Sequence, residues 1–433
     1  MPIRILKSIY HFILAWLGSV IYKNPSREIF VLGVTGTKGK STVLELINAI
    51  LEAAGKKTAM ISSVRFKIGS ESRKNLTDNT MPGRFFIQKF LSEAVKAGCE
   101  YALLEVTSEG IVQYRHRFID FDAALFLNLQ PEHIERHGTF HNYRAAKVKF
   151  FSDIANKSQK PAKLFFINQE DLNSGYFTDA SAGRGGVYYF GRENFIETRL
   201  ARGRVSIGNW LKNDFNLENA AAATRFAETQ GISWEITKRA LINFKGVPGR
   251  MDVIQEEPFR IVIDYAHTPD SLEKVYQTLR NANRKPQIVK DRRLALSDKR
   301  LAGRLICVLG SAGGGRDRWK RPVLGKIAAR YCQKVILTNE DPYNENPDQV
   351  LSQIAAGCAE AQNKACEVER ILDRRTAIKT ALGLARQGDT VVLTGKGSEN
   401  WMHLARGEKI PWDEKEIVKQ FLRIKNQEFQ LHS

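Results

Sequence analysis

Gly36, Gly39, Lys40 and Ser41 lie close together in residues 31–42, VLGVTGTKGKST, and have the types and spacing needed to hold a chain of phosphates. In such a run the backbone N–H groups point inward, helix-terminal dipoles favour anions, the lysine reaches the outer phosphates, and the serine hydroxyl can ligate Mg²⁺. Five residues rather than four separate Gly33 from Gly39, so Gly36 supplies the tight turn. Gly36, Thr37, Lys38, Gly39, Lys40, Ser41 and Thr42 are read together as a nucleoside triphosphate site. Glu105 ends an apolar run, YALLEV, where an acid at the carboxyl end of a buried strand is placed to hold Mg²⁺. His133 and His137, four apart with Glu132 and Glu135 beside them, suit a metal or acid–base site. Lys147, fourteen residues beyond His133, sits on a helical pattern where a lysine is ordinarily a surface charge.

Further on, Asp264 ends another apolar run and could bond ribose hydroxyls. Residues 310–317 (GSAGGGRD) and 395–399 (GKGSE) are glycine loops after strands, and 310–317 lacks the Gly-Lys-Ser/Thr of a triphosphate loop. These strand-end loops share one edge and form a cleft.

The elements that must position these residues follow from hydrophobic periodicity. Apolar runs at 29–34, 58–61, 101–106, 123–127 and 163–167 alternate with helical patterns such as 43–53, 85–97 and 143–155. Such alternation predicts a largely parallel sheet covered on both faces. Residues 179–209 are Gly-rich and aromatic and read as a small antiparallel patch around 186–190. Helical 217–230 and 234–243 lead to a Gly/Pro-rich turn at 245–250, read as a boundary. Beyond it, runs at 259–264, 305–309, 334–338 and 390–394 alternate with helices and predict a second, doubly wound unit. The expected class is therefore α/β, with a P-loop parallel-sheet domain at 29–247 and a smaller Rossmann-like domain at 248–433.

The chain has 433 residues and a formal net charge of +19, which suits a polyanionic partner such as a nucleotide sugar, nucleic acid or an anionic membrane face, or simply a solvated basic surface. Residues 281–304 are strongly basic and read as a surface insertion. The five cysteines include no C-x-x-C pair, so no disulfide framework or zinc ribbon follows, and a reducing cytoplasm fits. Residues 1–28 carry the apolar run IYHFILAWLGSVIY at 9–22, which is short for a bilayer span. With basic flanks and aromatics it predicts either peripheral membrane contact or an ordinary packed helix.

Taken in order, VTGTKGKST, TMPG, EVTSEG, NLQPEHIERHGT, YRAAK, FNLENAAAA, GVPGRMD, IDYAHTPDS, RDRWKRP, EDPYNENP and GKGSE resemble the Mur ligase family, and within it the tripeptide-forming branch acting on UDP-N-acetylmuramoyl-dipeptides. The resemblance implies ATP-dependent phosphorylation of a substrate carboxylate, then attack on the acyl phosphate by an amino acid's amine. It implies that Lys40 holds phosphates, that Ser41 and Glu105 ligate a first Mg²⁺ and His133 a second, and that Lys147 is carbamylated to hold that second ion. It assigns Asn216 and Asn219 to the adenine side, Arg250 to the nucleotide and Asp264 to the ribose. Thr80, Pro82, Thr107, Ser108, Asp341, Tyr343, Asn344, Gly395 and Glu399 fall to the peptide precursor and the incoming amino acid. Domain closure would then assemble the site, in a cytoplasmic monomer.

The departures are specific. Family members usually carry an N-terminal domain for the uridine diphosphate, whereas 28 residues precede the first core strand of this sequence. That opens an alternative, a peptide or poly-amino-acid acceptor of the cyanophycin or poly-γ-glutamate type. Tyr343 stands where the diaminopimelate-adding branch has an arginine that pairs bidentately with a carboxylate, and Ser398 replaces a histidine, which argues against diaminopimelate. A nucleotide-switched nucleic-acid binder would leave Glu105, His133 and Lys147 without roles, so no nucleic-acid partner is expected.

Overall fold

The run after Phe30 is buried residue by residue through Thr35, as a strand covered by helices on both faces must be. The computed structural model describes residues 2–77, 79–132, 134–200, 214–284, 303–361, 363 and 365–431. The chain divides into two units, Met1–Lys245 and Gly246–Ser433.

In the first unit, β1 (Phe30–Thr35), β2 (Thr58–Ile61), β3 (Arg65–Ile68), β4 (Glu71–Lys74), β5 (Tyr101–Glu105), β6 (Ala123–Phe126), β7 (Leu164–Asn168) and β8 (Gly186–Phe190) form one sheet ordered β4-β3-β2-β5-β1-β6-β7-β8. Pairing is parallel except at β2–β3 and β3–β4. Val34 of β1 lies opposite Glu105 of β5 and Leu125 of β6, so the chain leaves all three strands at one edge, where the candidate residues must gather. Alternate residues of one strand feed different cores: Val31 packs with Phe90, Leu91, Phe150 and Phe151, while Leu32 and Val34 pack with Leu44, Ile47, Ala223 and Phe226. The helices that matter to the site are α1 (Pro2–Ile21), α2 (Lys40–Ala53), α3 (Arg84–Lys96), α4 (Ser108–Val112), α5 (Ile134–His137) and α6 (Phe140–Lys157).

Two expectations change. Residues 186–190 are not an antiparallel patch: β8 pairs parallel to β7, with helix Ser174–Ser181 as the crossover that a parallel pair requires. Residues 201–209 of that stretch lie outside the described residues. The hairpin β3–β4 went unpredicted because Glu71–Lys74 is polar and fully exposed, a charged edge strand with no apolar alternation. At the N-terminus α1 packs one face, with Ala15 and Ser19 buried.

The second unit holds β9 (Asp252–Gln255), β10 (Arg260–Asp264), β11 (Leu305–Leu309), β12 (Lys334–Leu337), β13 (Glu367–Arg370) and β14 (Thr390–Thr394) in the order β13-β12-β11-β14-β10-β9, parallel apart from β9, plus the hairpin β15 (Trp401–His403) and β16 (Lys409–Pro411). Most of the basic stretch, 285–302, lies outside the described residues. Cys307 of β11 and Cys332, just before β12, form a disulfide that the cysteine spacing gave no reason to expect, because adjacent strands rather than sequence proximity bring them together. Arg374 and Glu414 form a fully buried ion pair at 2.6 Å, and Arg374 Nη2 also donates to the Thr394 carbonyl at 2.8 Å, bracing the end of β14. Beside it, burial above all, and then the Asp341 charge, push the Glu340 carboxyl up to about 7.

Two stability measurements test this packing. A Cβ at Gly33 would fall on the rings of Phe150 and Phe121, so Gly33→Ala should destabilise the first unit by about 1–3 kcal/mol in denaturant unfolding. Glu340 keeps its proton in the fold where an ordinary glutamate near 4.5 has lost it, so the native state binds the extra proton and stability falls as pH rises from about 4.5 to about 7. Glu340→Gln should remove that decline, gaining up to about 3 kcal/mol on wild type between pH 5 and 7.5.

Candidate active site

β1 ends in a turn whose last residue, Gly39, caps α2 in the left-handed region (φ +84°), with the Asn219 carboxamide where a side chain would otherwise lie. Lys40 and Ser41 thus occupy the first helical turn. Lys40 Nζ folds back to donate to the carbonyls of Gly36 (3.2 Å) and Thr37 (3.1 Å) and lies 3.9 Å from Glu105 Oε1. Ser41 Oγ donates to Glu105 Oε2 at 2.8 Å, and the Ser63 N–H donates to the same oxygen at 2.9 Å. The register of β1 against β5 produces this convergence.

The neighbouring strand holds the loop from its other side. Thr37 N donates to the Asn128 carbonyl (2.9 Å) and Lys38 N to Asn128 Oδ1 (2.9 Å), while Lys38 Nζ pairs with Glu132 at 2.8 Å. Asn128 and Glu132 were passed over in the sequence in favour of His133, which lies outside the described residues. Their signal was position: both follow a strand that ends at the same edge as the loop.

Lys147 is not a surface charge. It is 2% exposed, its Nζ donates to the Gly36 carbonyl at 2.8 Å, and it stands 4.9 Å from the centroid of the Tyr143 ring. Burial first, and the neighbouring Lys40 charge second, hold its amine well below the usual lysine range. Tyr143 OH meets Thr37 Oγ1 at 3.1 Å, the His137 ring packs edge-on to Tyr143 at 5.3 Å, and His137 Nε2 lies 3.1 Å from Ser108 Oγ. A continuous chain, Ser108–His137–Tyr143–Thr37, therefore links the residues assigned to the precursor with the phosphate loop.

Thr107 caps α4 by accepting from Gly110 N at 3.1 Å, and Gly110 leaves room for Met81 between Thr80 and Pro82. Arg115 donates to the Met81 carbonyl and, through Nη2, to Gln113 Oε1 at 2.8 Å. This places a guanidinium unnoticed in the sequence against Met81, in the middle of Thr80–Pro82. Asn216 and Asn219 are buried on helix Asp214–Thr229, as is Thr42 on α2.

This donor set fits a nucleoside triphosphate with Mg²⁺. A lysine and helix-terminal N–H groups meet phosphate charge, and a hydroxyl–carboxylate pair offers hard oxygen ligands.

In the second unit, Asp264 accepts from Met251 N and Ala266 N, both at 2.7 Å, fastening the turn that carries Arg250, whose guanidinium lies over Tyr265 at 4.2 Å. Lys396, fully buried, donates to Asp341 (2.9 Å), Glu399 (2.6 Å) and the Trp401 carbonyl (2.7 Å), and Glu399 also accepts from Tyr265 OH at 2.9 Å. Gly395 N donates to the Asp264 carbonyl at 3.2 Å, and Asn344 Oδ1 accepts from Arg406 N at 2.7 Å. Tyr343 stacks on His403 at 5.1 Å and 11°, with the Arg316 guanidinium 4.7 Å from its centroid and donating to its hydroxyl at 2.7 Å. Arg316, Lys396 and His403 were missed as individual residues, although two of them sit in motifs already singled out.

Comparison with known proteins agrees with this geometry. The Mur ligase middle domain matches residues 34–227, and the Mur ligase, glutamate ligase domain matches residues 249–397. A UDP-N-acetylmuramoyl-L-alanyl-D-glutamate–2,6-diaminopimelate ligase of Syntrophomonas wolfei is 34% identical over 427 residues, 95% of this chain and 82% of that one. A UDP-N-acetylmuramyl-tripeptide synthetase of Roseiflexus sp. is 34% identical, covering 93% and 80%. A solved UDP-N-acetylmuramoyl-L-alanyl-D-glutamate–2,6-diaminopimelate ligase shares 27% identity and a TM-score of 0.57 over 92% of this chain and 79% of that one. A folylpolyglutamate synthase of Mycobacterium tuberculosis, at 14% identity and a TM-score of 0.62 over 90% and 96%, shares the fold. With both domain models in place and a third of its residues shared along nearly its whole length, the chain belongs to the Mur ligase family of ATP-dependent ligases.

Proposed function

We propose that this ligase joins an amino acid to the carboxylate of a peptidoglycan-precursor peptide, of the muramoyl-dipeptide class named for its relatives, through an acyl phosphate. The convergence of Lys40, Ser41, Glu105 and Lys147 around the Gly36 turn is the observation that carries the reading. An acceptor carboxylate oxygen attacks the γ-phosphorus and ADP leaves. The amine then attacks the acyl carbon, phosphate departs and the nitrogen sheds a proton. Lys40 and the loop N–H groups hold phosphate charge, and Ser41 with Glu105 would hold Mg²⁺, which lets two anions approach each other. Arg115, held against Met81 of Thr80–Pro82, offers the acceptor a cation.

Burial favours the uncharged Lys147 amine, the form that adds CO₂: an N–C bond forms, a proton leaves, and the carbamate would hold a second Mg²⁺ with His133. Asn216, Asn219, Arg250 and Asp264 serve the nucleoside. Asp341, Glu399 and Arg316 receive the amino acid, and Tyr343 with Asn344 and Gly395 shapes its far end. Because Tyr343 stacks where a carboxylate-binding arginine stands in the diaminopimelate branch, the amino acid lacks a second carboxylate at that end. The reaction takes place in the cytoplasm, as it does in the family.

Phosphate release driven by a panel of amino acids with a muramoyl-dipeptide acceptor tests the assignment. Diaminopimelate should be a poor substrate for the wild type and improve in Tyr343→Arg. A wild type that prefers diaminopimelate would refute the role given to Tyr343, and turnover indifferent to the acceptor would refute the acceptor class. Lys147→Ala should lose roughly a hundredfold or more in turnover and regain part of it with added short-chain carboxylate. Unimpaired turnover in the unrescued variant would remove the carbamate.

A further inference from the structure

Only one side of α1 is covered. The helix is 20 residues long, about 30 Å. Ala15 and Ser19 are buried, Gly18 lies against Phe85 and Gln88 of α3, and Phe12 sets its ring on Tyr114 (5.9 Å) and Phe118 (5.1 Å). On the other side Leu6, Ile9, Tyr10, Ile13, Trp16 and Val20 recur at helical spacing, each between 46% and 65% exposed. A contiguous apolar stripe of this length on a protein surface marks a docking face.

The chemistry around the stripe selects the partner. Residues 1–27 contain Arg4, Lys7, Lys23 and Arg27 and no acidic residue. The Phe118 ring that supports Phe12 also lines a cavity of about 210 Å³ with Arg27, Arg117 and Lys157. These cations pair with the carboxylates there, Arg27 with Asp120 at 3.0 Å and Arg117, Lys149 and Lys157 with Asp153, which His116 also meets, so four cations face two carboxylates and the cluster keeps an excess of positive charge. Apolar surface with Trp and Tyr and an adjoining basic rim matches the headgroup–acyl boundary of an anionic bilayer. Among the described residues no helix is long and apolar enough to cross a membrane, so the geometry is that of a helix lying on one. Self-pairing of this face would instead bring like charges together at its rim.

We propose that α1 seats this protein on an anionic phospholipid surface. The Leu6–Ile13–Trp16–Val20 stripe enters the bilayer boundary, and the exposed Lys23, with the surplus positive charge of the Arg27–Arg117–Lys149–Lys157 cluster, meets the headgroup phosphates. The contact is independent of the ligase chemistry and goes beyond it.

Sedimentation of the full chain with vesicles tests the contact. Wild type should pellet with phosphatidylglycerol–phosphatidylethanolamine vesicles roughly tenfold more than with phosphatidylcholine vesicles, and less at high salt. Ile9→Gln, Ile13→Gln and Trp16→Gln combined should abolish pelleting while ATP turnover and circular dichroism stay at wild-type levels, since all three side chains face outward. Lys23→Glu alone should weaken binding roughly fivefold or more. Three results would overturn the proposal: a wild type that ignores anionic vesicles, binding equal on both lipids and insensitive to salt, or a triple variant that still pellets. A wild type that stays off vesicles but is dimeric in ultracentrifugation, with a monomeric triple variant, would assign the face to a second copy of the chain.

Discussion

Two lysines share one acceptor. Lys40 and Lys147 both donate to the Gly36 carbonyl oxygen, at 3.2 and 2.8 Å, which leaves their nitrogens no more than about 6 Å apart. Two full charges at that separation repel by about 3 kcal/mol at an effective dielectric near 20, before any cost of burying the second. The fold resolves the conflict by burial: Lys147 is enclosed and gives up its proton readily, while Lys40, at the helix start, stays partly open and close to Glu105. The same constraint favours the uncharged amine, the form that the proposed carbamylation needs. A lysine that would be unremarkable on the outer face of α6 acquires chemistry because the helix turns it onto the phosphate loop.

That turn depends on contacts that have no chemistry of their own. α6 starts at a threonine cap, Thr139 accepting from Asn142 N at 3.1 Å, and this cap fixes which residues of the helix face the sheet. Tyr143 and Lys147, four apart, then share the inner face, one reaching Thr37 and the other Gly36. The loop is fixed on three sides before any nucleotide arrives: by Asn128 from β6's edge, by Asn219 at Gly39, and by the two α6 side chains. Its N–H groups are therefore oriented in advance, the condition under which they stabilise charge without reorganising.

The sequence was most readable where local pattern and global fold agree. Buried parallel strands such as Tyr101–Glu105 and Leu305–Leu309 appear as unbroken apolar runs, and the glycine–lysine–serine turn declares itself by spacing. Reading failed where tertiary context sets the outcome. Gly186–Phe190 is only partly buried and alternates in a way that suits either strand direction, so its parallel pairing was invisible without the crossover helix. Arg115 and Lys396 look like solvent-facing cations in the chain, and only burial shows that each organises acceptor groups around itself. The family resemblance supplied a role for Lys147 that periodicity could not.

Tyr343 shows how one such position changes a recognition surface. Its backbone is left-handed (φ +50°), which costs a non-glycine residue about 1–2 kcal/mol. The ring makes up that cost through its contacts with the Arg316 guanidinium and the His403 ring, worth roughly 0.5–1.5 kcal/mol each. An arginine at this position would set a second guanidinium against Arg316, an arrangement that becomes favourable only with an anion between them. With tyrosine the site is stable as it stands, its hydroxyl already accepting from Arg316. On the proposed assignment an aromatic stack takes the place of a contact to a second carboxylate, and the charged groups around it are the Asp341–Lys396–Glu399 cluster and Arg316 itself.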